Sequence, residues 1–225
     1  MRTPAQQHGS TTVTTRGHQL RRVAVAAAIA AGALLASQAT ATATAATSSQ
    51  SVSSLGSADA PSGPINLYNQ WTKKCADLPG YGAVPANTLV TQFTCNFSDS
   101  DNQRWKMVPT RTVGSLSLFQ FVNTKSTLCL DLPGYGAAPS SSAVSVFGCN
   151  SEPSRDNQEW WLNDVGATGD YQIVNFQNGA CLDVNGWAGD NSDLADNTQL
   201  TVFPCFNASW GNNGWDDHLW NLRSS

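Results

Sequence analysis

Charge is scarce in this chain. Only 12% of its 225 residues are Asp, Glu, Lys or Arg, about half the share in an ordinary globular domain, and the formal net charge is −4. A binder of polyanions needs clustered Lys and Arg that are missing here, so nucleic acid is excluded as a partner. Histidine is scarcer still: there are three, and His8 and His18 fall within the first twenty residues. No G-x-S-x-G, H-E-x-x-H or Gly-rich phosphate loop occurs, and the two glutamates are Glu152, in a turn-rich stretch, and Glu159, inside a Q-E-W triplet. No Ser-His-Asp or Cys-His set and no glutamate pair across a cleft can be assembled, which argues against an enzyme. The apolar run from Val23 to Ala36 is 14 residues long, whereas a bilayer-spanning helix needs about 20. The mature chain is therefore expected to have no membrane span.

Aromatic residues and cysteine are missing from the first 60 residues, so the chain has two unlike parts. Arg16, Arg21 and Arg22 precede the apolar run, and small-x-small sites such as Ala39-Thr40-Ala41 and Thr44-Ala45-Ala46 follow it. That order predicts a signal peptide over residues 1–46 and a secreted product. The Arg21-Arg22 pair fits a folded-protein export route as well as the ordinary one. Residues 47–64 are mostly Ser, Ala, Gly and Pro with one charge, Asp59, and almost nothing to bury, and are expected to be a flexible tether. Cleavage after residue 46 removes four arginines and no acidic residue, taking the net charge to −8 and leaving His218 as the one histidine. In an oxidising compartment the six cysteines are expected to form disulfides and not a metal site.

From residue 65 to 225 the sequence repeats three times, in register with its cysteines. Cys75 and Cys95 are 20 apart, Cys129 and Cys149 are 20 apart, and Cys181 and Cys205 are 24 apart. Cys75-Ala76-Asp77-Leu78-Pro79-Gly80-Tyr81 matches Cys129-Leu130-Asp131-Leu132-Pro133-Gly134-Tyr135 and, more loosely, Cys181-Leu182-Asp183-Val184-Asn185-Gly186-Trp187. Each repeat closes on a related run: Asn102-Gln103-Arg104-Trp105, Asn157-Gln158-Glu159-Trp160 and the divergent Asp217-His218-Leu219-Trp220. The matched spacing predicts one disulfide inside each repeat. Apolar and polar residues alternate with period two between turn-rich segments, which predicts four short strands per repeat and no helix. Repeats over about 65–113, 114–168 and 169–225 would then build one closed, pseudo-threefold all-β domain, because one unit alone cannot bury its apolar face.

The C-x-D opening, the aromatic two places before the second Cys and the N-Q-x-W close resemble ricin-type β-trefoil lectins, including the carbohydrate-binding modules of secreted bacterial glycosidases. The resemblance covers residues 65–225 and implies a β-trefoil with a shallow sugar pocket in each repeat. There the Asp accepts hydrogen bonds from two sugar hydroxyls, an aromatic ring stacks on the pyranose face, and the Asn before Gln binds a further hydroxyl. That division suits a sugar, which offers hydroxyls on one side and C–H groups on another. Asp77, Phe93 and Asn102 supply the set in the first repeat, and Asp131, Phe147 and Asn157 in the second. In the third, Asp183 and Phe203 remain, but Asp217 replaces the Asn and brings a second carboxylate beside the first.

Tyr81, Tyr135 and Trp187, four residues after their Asp in a Gly-bearing loop, are an alternative stacking platform or loop packing. Gln103, Gln158, Trp105, Trp160 and Trp220 are expected to hold the fold, with His218 a Gln substitute bonding backbone. Asp190, Asp193 and Asp196 lack the alternating spacing of a calcium loop and read as a solvated loop. No cofactor or metal is predicted. The expected protein is a secreted, non-catalytic, monomeric lectin for galactose-like or xylose-like sugars or their polymers. Two rivals stand beside it: an accessory module for a separate glycoside hydrolase or toxin subunit, and a protease-inhibitor trefoil with an exposed reactive loop.

Overall fold

A computed structural model describes residues 54–56, 59–165, 169–186, 190–205 and 217–224. The expected signal segment 1–46, residues 47–53 and 57–58 of the expected tether, and Trp187 lie outside the described residues. The first repeat contributes β1 (Ile65–Asn69), β2 (Cys75–Asp77), β3 (Thr88–Leu89), β4 (Thr91–Phe93) and β5 (Trp105–Val113). The second contributes β6 (Leu116–Asn123), β7 (Cys129–Asp131), β8 (Ser142–Ala143), β9 (Ser145–Phe147) and β10 (Trp160–Asp164). The third contributes β11 (Asp170–Asn175), β12 (Ala180–Val184), β13 (Leu200–Pro204) and β14 (Leu219–Ser224).

Four strands per repeat become fourteen in all because the third strand of the first two repeats breaks for one residue, at Val90 and Val144. The break has a physical cause at the threefold axis. Val90 N–H donates to the Val144 carbonyl, Val144 N–H to the Leu200 carbonyl and Leu200 N–H to the Val90 carbonyl, each at 2.9 Å. Backbone groups that would serve a strand ladder are spent on this triangle, and all three side chains are fully buried in the core.

Six strands pair antiparallel in a ring, in the order β1, β5, β6, β10, β11, β14 and back to β1. The hairpins β2–β4, β7–β9 and β12–β13 add six more, one hairpin per repeat, and the short β3 and β8 pair with β9 and β13 of the next repeat. This is the β-trefoil, a closed barrel without a free edge. Alternation along each strand turns Ile65, Leu67, Phe119, Phe121, Leu162 and Ile173 into the shared core. Trp105, Trp160 and Trp220 are buried with them, and each indole N–H donates to a carbonyl of its own repeat, Ala76, Leu130 and Leu182. A buried Trp needs such a partner, so these three lock the repeat's last strand onto its second. The disulfides are Cys75–Cys95, Cys129–Cys149 and Cys181–Cys205, one per repeat. Each closes a loop of about 20 residues, worth roughly 3 kcal/mol if it acts by restricting the unfolded chain.

Neighbouring repeats are stitched by an asparagine that ends each first strand. The Nδ2 groups of Asn69, Asn123 and Asn175 donate at 2.6 Å to the carbonyls of Asp217, Asn102 and Asn157, one repeat back around the ring. Their Oδ1 atoms meanwhile accept N–H groups of the following turns. The tether expectation needs correcting for its described part. Ser54 bridges Asn163 beside β10, and Leu55 donates its N–H to the Leu162 carbonyl and packs on the core. A single large apolar side chain suffices to lay this stretch onto the domain.

Candidate functional site

Each second strand sends alternate residues in opposite directions. Ala76 faces the core, whereas Cys75 and Asp77 share the other face with their cross-strand partners Phe93 and Thr91. The disulfide from Cys75 to Cys95 pins the end of the hairpin two residues beyond Phe93. Asp77 thus sits at the base of a cleft of about 340 Å³, with Phe93 on one strand and the Pro79-Gly80-Tyr81 turn as further walls. The second repeat rebuilds it in about 170 Å³ from Asp131, Phe147 and Pro133-Gly134-Tyr135. Phe93 is 38% exposed and Phe147 41%, while Tyr81 and Tyr135 are more than 70% exposed. The phenylalanines and tyrosines proposed as alternative platforms therefore line the same clefts.

The carboxylates in these clefts are almost fully buried. Burial pushes the Asp77 carboxyl up to about 7, with the nearby charges of Asp101 and Asp196 adding to it and a hydrogen bond from Gln103 opposing it. Asp131 is pushed up to about 6 by burial, aided by Asp156 and opposed by Gln158. The glutamines do more than hold the fold. Gln158 Nε2 donates to Asp131 Oδ1 and the Gly148 carbonyl at 3.0 Å each, and its Oε1 accepts the Asn150 N–H. Gln103 Oε1 likewise accepts the Asn96 N–H, at 2.7 Å.

Asn102 and Asn157 do not reach the clefts. Both are fully buried, and their Nδ2 groups donate to the carbonyls of Gly82 and of Gly134 and Gly136. Their place beside Gln put them one residue from the site in sequence but under the aromatic loop in space. Their role is to hold that loop. The preceding residues, Asp101 and Asp156, line the clefts instead, with Oδ1 accepting the N–H of Asn102 and Asn157. The D-N-Q-x-W run showed them, but only the backbone turn shows which member faces out.

The third repeat is different. His218 lies between the two carboxylates, its Nε2 3.4 Å from Asp183 Oδ1 and its Nδ1 3.4 Å from Asp217 Oδ1. Its place between two carboxylates gives it an electrostatic role that a glutamine would not have. Asp183 Oδ2 also accepts the Thr201 hydroxyl at 2.7 Å. Burial, with the like charge of Asp183, pushes Asp217 up to about 8. Asp183, Asp217 and His218 offer ligand atoms within 4.8 Å of one another, so this trio could hold a metal ion. Phe203 is exposed, with its ring centroid 6.3 Å from that of His218.

The longer loop of this repeat is solvated at Asp190, as expected, but not at the two acids that follow. Asp193 is fully buried, and Asp196 forms an ion pair with Lys74 at 2.6 Å and accepts the Thr94 N–H. Gly186 explains how the loop packs: a Cβ there would lie 2.8 Å from the Asp193 backbone nitrogen, whereas one at Gly80 or Gly134 meets nothing within 4 Å.

The profile of the family described as Ricin-type beta-trefoil lectin domain matches residues 63–207. The chain belongs to this family. Similar solved structures agree on the trefoil. The designed threefold-symmetric protein ThreeFoil aligns at 22% identity and a TM-score of 0.57, over 72% of this chain and 99% of its own. The Rhizoctonia solani agglutinin aligns at 20% and 0.52, over 73% and 96%. An exo-beta-1,3-galactanase from Clostridium thermocellum aligns at 22% and 0.56, over 73% of this chain but 31% of its own. No curated protein matches the sequence. In this ricin-type chain the strand Leu219–Ser224, which closes the barrel, lies beyond the matched residues.

Proposed function

We propose that the mature chain, freed of residues 1–46, is a secreted, monomeric, non-catalytic lectin whose globular domain spans 65–225. It binds galactose-like or xylose-like sugars or their polymers through the clefts of Asp77 and Asp131. The observation that carries this reading is the twofold recurrence of one arrangement, a buried carboxylate at the base of a cleft walled by exposed Phe and Tyr. A carboxylate takes two hydroxyl donors and a flat ring covers the C–H face, which is what a pyranose requires. Family membership supports carbohydrate as the ligand class. Glu159, whose carboxylate is held by Arg111 and Thr110, is not among the residues lining either cleft.

One shallow site should bind a monosaccharide with a dissociation constant near the millimolar to sub-millimolar range, about −4 to −5.5 kcal/mol. Two sites on one polymer gain a further factor of about 10² to 10⁴ where geometry lets both engage. A glycan array with the secreted protein, followed by calorimetry on the selected sugar, tests the reading. Asp77→Asn should halve the stoichiometry for the free sugar and lower retention on the polymer far more than twofold. Full retention by the Asp77→Asn, Asp131→Asn double variant would move the site elsewhere, and turnover of the bound glycoside would overturn the non-catalytic assignment.

A further inference from the structure

With Asn102 and Asn157 buried, each cleft lacks the carboxamide expected from its own repeat. In the first, Asn96 and Gln103 also line the wall, but their side-chain oxygens already accept the N–H groups of Ser98 and Asn96. An asparagine from another repeat stands in each cleft. Asn197, from the third repeat, lines the cleft of Asp77, and Asn87, from the first, lines the cleft of Asp131. Both are exposed, and neither side chain hydrogen-bonds another described residue.

Their backbones are fixed. Asn87 and Asn197 hold φ of 66° and 65°, a left-handed conformation that Asn tolerates better than most side chains. Asn87 N–H donates to the Val146 carbonyl at 2.7 Å and Asn197 N–H to the Gln92 carbonyl at 2.8 Å. Val146 and Gln92 immediately precede the platform residues Phe147 and Phe93, so each asparagine is anchored beside the ring of a neighbouring repeat. Three residues later the chain enters the hydrogen-bonded triangle of Val90, Val144 and Leu200, whose side chains are fully buried. The third repeat completes the pattern with Ser141 at φ 64°, bonded to Val202, which precedes Phe203.

We propose that Asn197 and Asn87 are sugar-contacting, specificity-determining residues lent across the repeat boundary, their carboxamides binding ligand hydroxyls in the clefts of Asp77 and Asp131. The inference rests on the lectin reading above. A carboxamide donates and accepts at once, so it distinguishes the arrangement of two adjacent hydroxyls, which a carboxylate, an acceptor alone, cannot do. Preorganisation of the backbone favours binding, because only the side-chain rotamer remains to be fixed on so rigid an anchor.

The test isolates one cleft at a time, using Asp131→Asn to leave the first and Asp77→Asn to leave the second. Dissociation constants for methyl β-galactoside and methyl β-xyloside are measured by NMR amide titration. In the first background Asn197→Gly should weaken the bound glycoside about tenfold, and in the second Asn87→Gly should do the same, because hydroxyls remain bound to the Asp but lose the carboxamide. Glycine keeps the left-handed backbone. Asn197→Asp, which also tolerates it but lacks the amide donor, should weaken binding as well and serves if the glycine variant does not fold. Asn191→Gly is the control, an exposed asparagine with φ 61° that is not among the residues lining either cleft, and it should leave both constants within twofold. If the single-cleft parents bind and the Asn197 and Asn87 exchanges also stay within twofold, the lectin reading stands and this inference falls. If neither parent binds either glycoside, both fall together.

Discussion

Acidification should switch the two clefts off at different pH. A sugar hydroxyl donates to an ionised carboxylate, so a proton on Asp77 or Asp131 competes with the ligand. For a site that binds only when ionised, the apparent dissociation constant rises by the factor 1 + 10^(pKa − pH). With Asp77 at about 7 and Asp131 at about 6, lowering the pH from well above both values to 5 weakens the first cleft about 100-fold and the second about 10-fold. The order has a structural cause, since the charges of Asp101 and Asp196 both act on Asp77, whereas Asp131 feels that of Asp156. Calorimetric titrations of the Asp131→Asn and Asp77→Asn variants between pH 5 and 8 give the two profiles separately. Asp196→Asn should move the first midpoint down and leave the second unchanged. Flat profiles would show that neither carboxylate exchanges a proton on binding, and affinity that rises on acidification would mean that a protonated Asp donates to the sugar. Either result refutes the role given to these residues.

Three further outcomes are expected. Asp217 holds its proton in the folded state up to about pH 8 but only to about 3.8 when unfolded, so it stabilises the fold below 3.8 and loses that contribution as pH rises through 8; Asp217→Asn should therefore raise the melting temperature at pH 8 more than at pH 5, and an equal shift at both would contradict the coupling. Gln158→Leu strips the donor from Asp131 and leaves the Asn150 N–H without its side-chain acceptor, so it should cost about 1–3 kcal/mol in denaturant unfolding and raise the Asp131 midpoint read by carboxyl NMR. Gly186→Ala meets the Asp193 backbone at φ +141°, whereas Gly80→Ala enters open space at φ +82°; the first should lose about 1–3 kcal/mol more than the second, and equal losses would show that the loop yields freely.

The threefold architecture was legible because it is written in periodic features: paired cysteines, C-x-D and the buried Trp recur at nearly one step. Asp77 and Phe93 could be brought together by strand register alone, since their positions differ by whole cross-strand steps. Asn102 failed for the opposite reason. Neighbours along a turn point in different directions, and nothing in the letters D-N-Q told that Asp101 faces the cleft while Asn102 faces the loop carbonyls. Asn87 and Asn197 were invisible because their clefts belong to other repeats, a relation that exists only once the barrel has closed. His218 illustrates a further limit, for a substitution that looked like loss of a glutamine is geometrically a bridge between two acids.

The seam between β1 and β14 bears on how the protein is made. Ile65 meets Ser224, and Asn69 reaches across 148 positions to the Asp217 carbonyl, so the first stave of the barrel is completed by the last. While Leu219–Ser224 is still inside the ribosome, β1 and β11 each lack the partner that β14 supplies, and Trp220 has not entered the core. The barrel therefore stays unlatched until Leu219–Ser224 has emerged. Premature termination should yield an open sheet that proteases clear, and not a lectin with two working clefts.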